Sequence, residues 1–433
     1  MKNRLLKSLL SIVLVPAVLA VCSLPFTVTD GEGDAESAMA TPVDYGYCAS
    51  LLSAAHSRQI DVEFLKTLDG EAVNRLADIA KNSVPTARDW HSLTGSSLNV
   101  LLGRRNGEEA LDLGDNGKGS FTLGFVGDIN FTEVGYVMPH AKTKPNGVID
   151  CIDKAFLDEM RAADIMLANN EFTYSDRGTP LNKRYTFRAK PESVKYLDEL
   201  GIDIVSLANN HVYDYSLPAF EDTLATLKNA GVATVGAGMD YSEASAPAVY
   251  YINGYKVAYL AASRVEVDMF TPSASENRAG VMSINAADAL AEEIRKAKSE
   301  SDFVVVYLHW GIEYTTNLDS AQQKMSRIFA QAGADAVIGA HSHCLQGFDF
   351  YGDTCVAYSL GNFWFNTRTL DTAMLKLEFG GEKVRMSIVP GIQQNSEVDY
   401  ISSAAKRREL YNRLEKISGG VAIDDNGVIT PKA

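Results

Sequence analysis

Phe121-Thr122-Leu123-Gly124-Phe125-Val126-Gly127-Asp128 is an apolar run that ends on a glycine and a carboxylate. A short run of this kind reads as a buried strand, and it delivers Asp128 to whatever lies past its end. Four later runs repeat the arrangement: 165–168 leads to Glu171, 204–208 to Asn210 and His211, 303–308 to His309, and 336–338 to His341 and His343. Parallel strands gather their C-terminal ends at one edge, where open α/β folds place their chemistry, so these residues are expected to converge. The chain has seven histidines, at 56, 91, 140, 211, 309, 341 and 343. Four of them sit just past strand ends, which packing alone does not account for. Imidazoles, carboxylates and an amide without a thiolate suit a catalytic divalent ion better than a structural thiolate zinc.

Outward from these strands, amphipathic helical patterns alternate with them at 155–163, 191–200, 219–230, 287–298 and 321–332. That alternation is the mark of βαβ units. Two hairpins interrupt it. One turns at Asn253-Gly254, where positive φ is readily adopted, and the other at Gly380-Gly381. Mixed strand directions with helices between them predict an α/β fold of two packed mixed β-sheets flanked by helices. A small helical N-terminal region is expected at 41–117, ending in a Gly- and Asp-rich linker over 112–119. The main domain is expected at 118–395, then a C-terminal helix (402–414) and a frayed end after Gly419-Gly420 over 396–433.

With 433 residues and 46% hydrophobic content the chain can bury a large core, and its formal charge of −15 speaks against a nucleic-acid surface. Lys2, Arg4 and Lys7 precede an apolar stretch at 9–26, followed by Ala38-Met39-Ala40. This pattern is that of an export signal cleaved after residue 40, with retention as a membrane anchor through residues 1–28 as the alternative. Cys22 in Leu19-Ala20-Val21-Cys22 is a poor lipoprotein box. Cys344 and Cys355 flank a turn at 351–353, and a disulfide and two free thiols stand open as readings.

The motifs Gly127-Asp128, Asn170-Glu171, Ser206-Leu207-Ala208-Asn209-Asn210-His211 with Asp214-Tyr215, His309-Trp310-Gly311, Gly339-Ala340-His341-Ser342-His343 and Ser359-Leu360-Gly361-Asn362 occur in this order. Over about residues 120–395 the chain resembles the CapA-type family of bacterial poly-γ-glutamate capsule synthesis proteins, whose fold belongs with the calcineurin-like metallophosphoesterases. The resemblance implies an αββα sandwich and two divalent metal ions (Mn, Zn or Fe). It also implies roles: Asp128 and His343 on one ion, Asn210, His309 and His341 on the other, and Glu171 as the bridge. Asn130 stands where the family fold has a histidine ligand, and an amide there makes a weaker site. Ser216 and Ser342 replace a usual glycine and proline. His211 is left free to act as general acid, with Asp214 orienting it or capping the next helix.

Arg188 and Lys190 are candidates for holding an anionic substrate, against a purely solvated role, whereas Trp310 and Tyr314 read as loop packing and Asn362 as a turn residue. The implied function is that of an exported metal-dependent hydrolase of capsule or envelope polymer metabolism, acting on a phosphoester or a γ-glutamyl amide. A different reading is a non-catalytic component that binds an anionic polymer within a membrane capsule synthesis complex. A secreted nucleotidase would need a further nucleotide-binding domain.

The export reading predicts a mature chain beginning near Thr41. Intact-mass measurement of the native protein checks this, and a mass that retains residues 1–40 points instead to the anchored form.

Overall fold

The computed structural model describes residues 43–55, single positions between 65 and 81, residues 110–113, 116–380 and 384–432. The expected signal segment, His56 and His91 lie outside the described residues. No helix among the described residues is long and apolar enough to cross a membrane.

Two large sheets organise the chain. The seven-stranded sheet runs Leu111–Asp112, Ala248–Ile252, Tyr255–Ser263, Phe303–His309, Ala336–Ala340, Thr354–Ala357, Phe348–Tyr351. The ten-stranded sheet runs Val421–Ile423, Val428–Pro431, Arg385–Gln394, Leu370–Phe379, Phe121–Ile129, Ile165–Asn170, Ile204–Ser206, Ala233–Val235, with Asn362–Trp364 and Glu397–Tyr400 paired beside this path. The five site strands are therefore split. Three lie in the larger sheet and two in the smaller.

Side chains alternate across a strand, and here that alternation builds three apolar layers. Leu123, Phe125, Ile165, Leu167 and Ile204 of one sheet meet Val257, Tyr259, Val305, Tyr307 and Ile338 of the other in a shared core. Their neighbours Met166, Ala168 and Val205 face outward to Phe156, Met160, Leu200, Phe220 and Leu227 on the helices of that side. On the opposite side Val304, Val306 and Val337 face Leu290, Ile294, Met325 and Phe329. The architecture is the expected αββα sandwich. Full burial of side chains this size contributes roughly 1.5–3 kcal/mol each, which makes the inter-sheet layer the main source of cohesion. Tyr307 adds a polar tie across it, donating from Oη to Val126 O at 2.9 Å.

Both hairpins form as read. The strands Ala248–Ile252 and Tyr255–Ser263 pair antiparallel, with Asn253 and Gly254 at φ of 51° and 82°, the left-handed pair a two-residue turn requires. Leu370–Phe379 pairs with Arg385–Gln394 in the same sense. The described positions 65, 70, 73, 74, 77 and 78 are helical, in keeping with the expected helical stretch.

Two expectations need correction, and one open reading is decided. The 112–119 segment is not a free linker: Asp112 pairs with Tyr251 in the seven-stranded sheet, and Asn116 bonds Asn253 and Asp164. Gly419-Gly420 does not begin a frayed end, because Val421–Ile423 and Val428–Pro431 pair with each other and extend the ten-stranded sheet. Short strands separated by Asp424-Asp425-Asn426-Gly427 read as polar tail until the sheet edge that receives them is known. Cys344 and Cys355 are free thiols, since Cys355 opposes Phe350 in its hairpin while Cys344 lies in the preceding loop with Sγ 3.3 Å from Thr315 O.

Ile429, only 2% exposed, sits in the central core. Ile429→Ala should cost about 2–4 kcal/mol of unfolding free energy, measured by urea denaturation. A change below about 0.5 kcal/mol, as expected of an exposed surface position, would show a loosely held tail.

Candidate metal centre

Phe121–Ile129 bulges before its end: pairing with Ile165–Asn170 slips between Phe125 and Asp128, a device that re-aims a strand-end side chain. Gly127 permits the close passage of the Gly361 loop there. A Cβ at this position would lie 1.8 Å from Gly361 O, the acceptor of the Asp128 amide at 2.8 Å. On the other sheet, His341 and His343 follow Ala336–Ala340 with φ of 86° and 56°. Such left-handed backbone costs about 1–3 kcal/mol per residue and is kept where the surroundings enforce it. Ser342 supplies part of that enforcement, its Oγ lying 2.7 Å from Cys344 O and 2.8 Å from Ser359 Oγ.

Across the two sheets these loops meet. Glu171, His309 and His341 offer ligand atoms within 4.8 Å of one another, and so do Asp128, Glu171 and His343. Glu171 belongs to both trios. It is fully buried, and neither of its carboxylate oxygens has a hydrogen-bond partner among the described residues. Burial, followed by the nearby Asp128 charge, pushes its carboxyl well above the usual range. Leaving a buried polar atom unsatisfied costs about 1–3 kcal/mol, and more for a charged group. A pair of cations would remove that penalty.

The histidines show the same demand. Burial and then the neighbouring His341 hold His309 well below the ordinary imidazole value, and burial and then His343 do likewise for His341. Neutral imidazoles are the form that binds metal. His343 is pushed down by burial, but the Asp128 carboxylate beside it outweighs this and raises it; its Nδ1 stands 3.2 Å from Asp128 Oδ2 and donates to Asn362 Oδ1 at 2.8 Å. Asn362 thus holds a site histidine, a role the sequence reading, which gave it only a turn, had missed. The donor set of carboxylate, imidazole and amide fits manganese, zinc or iron.

Asn210 belongs to the cluster, with Oδ1 2.8 Å from His309 Nε2. Asn130 is buried, and its side-chain oxygen accepts the Thr132 amide at 2.7 Å, an Asx turn that holds its own loop and uses one of the oxygen's two lone pairs. His211 and Asp214 do come together, Nδ1 donating to Asp214 Oδ2 at 2.6 Å. That bond leaves Nε2 toward the acidic and imidazole groups of the cluster, 4.0 Å from Glu171 Oε1. Burial outweighs the opposing Asp214 charge and lowers the His211 imidazole below its usual value.

Arg188 and Lys190 are not brought to the cluster. In extended chain neighbours point to opposite faces: Phe187 packs on His211, with ring centres 4.4 Å apart, so Arg188 turns away to stack on Tyr215, and Lys190 pairs with Glu192. Trp310 is buried packing, its Nε1 donating to Tyr358 O. Tyr314 is not: 42% exposed, it lies between Arg368 and His343 at the rim.

Asn169 and Asn209 were not singled out from the sequence. Asn169 Nδ2 donates to Asp128 Oδ1 at 2.7 Å and stands 3.2 Å from His309 Nδ1, joining the two trios. Asn209 Nδ2 donates to Asn169 Oδ1 at 3.1 Å while its Oδ1 accepts the His211 amide at 3.0 Å. The paired asparagines Asn169-Asn170, closing a strand, and Asn209-Asn210, past another, were the available signal.

The family model described as Bacterial capsule synthesis protein PGA_cap matches residues 122–367, more than half of the chain. The chain is 34% identical over 246 residues to a capsule biosynthesis protein CapA of Bacillus anthracis, covering 54% of this chain and 58% of that protein's length. It is 30% identical over 315 residues to the PGA biosynthesis protein CapA of Bacillus subtilis, covering 71% of this chain and 80% of that one. Among solved structures, a hypothetical protein from Thermus thermophilus aligns at 18% identity and a TM-score of 0.40, over 63% of this chain and 98% of that one. A 5′-nucleotidase from Candida albicans aligns at 12% and 0.38, over 62% and 51%. At that level of likeness no residue of theirs is matched to one here.

In metal-free protein near neutral pH Glu171→Gln should raise stability by about 1–3 kcal/mol, because the wild-type carboxyl must either stay ionised in a buried site or take up a proton on folding. Glu171 binds its proton more tightly folded than unfolded, so the metal-free wild type should lose stability as pH rises above the ordinary carboxylate range, and the variant less so. Added manganese chloride should then stabilise the wild type much more than the variant, read by thermal denaturation with and without the ion. Equal responses would remove Glu171 from the ligand set.

Proposed function

The chain belongs to the bacterial capsule synthesis protein family PGA_cap, and we propose that it acts in capsule or cell-envelope poly-γ-glutamate synthesis or processing as an exported hydrolase with two divalent ions. The observation that carries this reading is Glu171, a fully buried carboxylate with both oxygens unsatisfied among the described residues, shared by two trios of metal-type side chains. A purely structural core has no use for such a group, which desolvation penalises at every pH where it is ionised.

Two ions held side by side lower the pKa of water, orient it and offset charge that builds on an attacked phosphoryl or carbonyl centre. Asp128 and His343 would hold one, Asn210, His309 and His341 the other, with Glu171 between them. The protein's own contribution is geometry. Asn169 and Asn209 lock Asp128, His309 and the His211 backbone in one hydrogen-bonded frame, so the donors need little rearrangement when charge develops.

His211 supplies the proton step. Asp214 accepts from Nδ1, which fixes the ring and leaves Nε2 facing the cluster. An anionic substrate nearby favours the protonated ring, whose Nε2–H can pass to the leaving oxygen of a phosphoester or the leaving nitrogen of a γ-glutamyl amide. Phe187 packs against the His211 ring and keeps its outer face dry.

His211→Gln should retain both ions and lose about 10²–10⁴-fold in turnover, whereas His341→Ala should lose metal. Metal analysis and a panel of phosphoester and γ-glutamyl substrates with added manganese or zinc check both. Loss of metal from His211→Gln would make it a ligand; a fully metallated wild type that turns over nothing would favour a polymer-binding component of a capsule synthesis complex.

A further inference from the structure

We infer that Lys183 and Glu266 are positioning residues of the metal centre, together setting the direction of the Asn210 amide and, through Asp214, of the His211 ring. This rests on the two-ion reading above. Neither residue lies past a site strand. Lys183 is on the loop between Thr173–Tyr174 and Arg188–Ala189, and Glu266 is on the loop after Tyr255–Ser263.

The Lys183 side chain is 5% exposed; its ammonium donates to Asn210 O at 2.8 Å and Glu266 Oε2 at 2.8 Å and pairs in charge with Asp214 Oδ1 at 3.1 Å. A buried cation is costly unless paired and hydrogen-bonded, and this one has a carboxylate on two sides and two hydrogen bonds. Glu266 is held in place at a cost of its own, with φ of 52° at Glu266 and 61° at Asp268. Thr271 of the same loop donates to Asn210 O at 3.0 Å.

The consequence for Asn210 follows from hydrogen-bond polarity. An ionised carboxylate can only accept, so the end of the amide that faces Glu266 must be the nitrogen, and Nδ2 donates to Glu266 Oε2 at 3.2 Å. Oδ1 is thereby turned to the other side, against His309 Nε2 at 2.8 Å. Without Glu266 the amide is free to flip, and a flipped amide offers hydrogens where a cation needs a lone pair. Asp214 is oriented by charge in a similar manner: Oδ1 faces the Lys183 ammonium as an ion pair at 3.1 Å, which sets Oδ2 toward His211 Nδ1 and the Phe187 amide. One ammonium therefore fixes a ligand and the proton donor together.

A double-mutant cycle tests this, with manganese binding to the mature full-length protein measured by calorimetry for wild type, Glu266→Ala, Asn210→Ala and the double variant. Glu266→Ala should weaken one of two sites about 10–100-fold, as loss of an outer partner of a ligand does, and the double variant should be no weaker than Asn210→Ala alone. Unchanged affinity in Glu266→Ala, or losses that add in the double variant, overturns the positioning role while leaving the two-ion reading intact. A wild type that binds neither manganese nor zinc overturns both. For the other arm, imidazole ¹⁵N shifts of Lys183→Met should show His211 exchanging between tautomers where the wild type has one Nδ1–H form. A single unchanged tautomer overturns that half, and if Lys183→Met does not fold, Asp214→Asn combined with the Glu266→Ala cycle decides: it must disturb the His211 tautomer without moving manganese affinity, and any other outcome overturns the proposal.

Discussion

Everything in this molecule depends on the apolar layer between its two sheets. Leu123, Phe125, Ile165 and Leu167 press on Tyr259, Val305, Tyr307 and Ile338, and that packing fixes how the strand ends of one sheet stand against those of the other. The ligand trios draw on both sheets, His309 and His341 from the smaller, Asp128 and Glu171 from the larger. Sliding one sheet against the other would separate donors that now lie within 4.8 Å of one another. Protein interiors are close-packed and resist such slips, so the core acts as the ruler for the site.

Above that core, the polar groups divide into two kinds. Asn169, Asn209 and Lys183 each tie two or three segments together, and the two amides have their bonds complete. Carboxylates and imidazoles at the centre do not, and Glu171 and His341 keep buried atoms without a partner among the described residues. Satisfied groups around unsatisfied ones make a preorganised receptor, because the frame is held by its own bonds while the buried donors at the centre keep their lone pairs for a ligand. The left-handed backbone at His341 and His343 stores strain in the same place.

Membership of the capsule synthesis family and this receptor support each other without being the same statement. The family relationship concerns which biological process the relatives serve. The arrangement of Glu171, the histidines and His211 concerns which chemistry the cavity can perform. Lys183 and Glu266 tie Asn210 and Asp214 to loops outside the strand ends, so loop sequence shapes the site along with the strands themselves.

By itself the sequence determined the layers and which residues meet at the candidate site, because both have local signatures. Alternation with period two fixes which face of a strand is buried, and a polar residue directly past an apolar run has only the strand's end to occupy, as Asp128, Glu171, His309 and His341 do. Only the tertiary structure decided the rest. Asn130 holds its own loop through the Thr132 amide and Arg188 faces away, since a side chain's direction within a loop depends on what packs against it. Lys183, Glu266 and Asn169 acquired their roles through partners 27 to 140 positions distant in the chain. The strands after Gly420 exist because a sheet edge receives them. Hydrogen bonds and pairings of that range leave no periodic mark in a sequence, because the chain fixes spacing along itself and only folding fixes spacing through space.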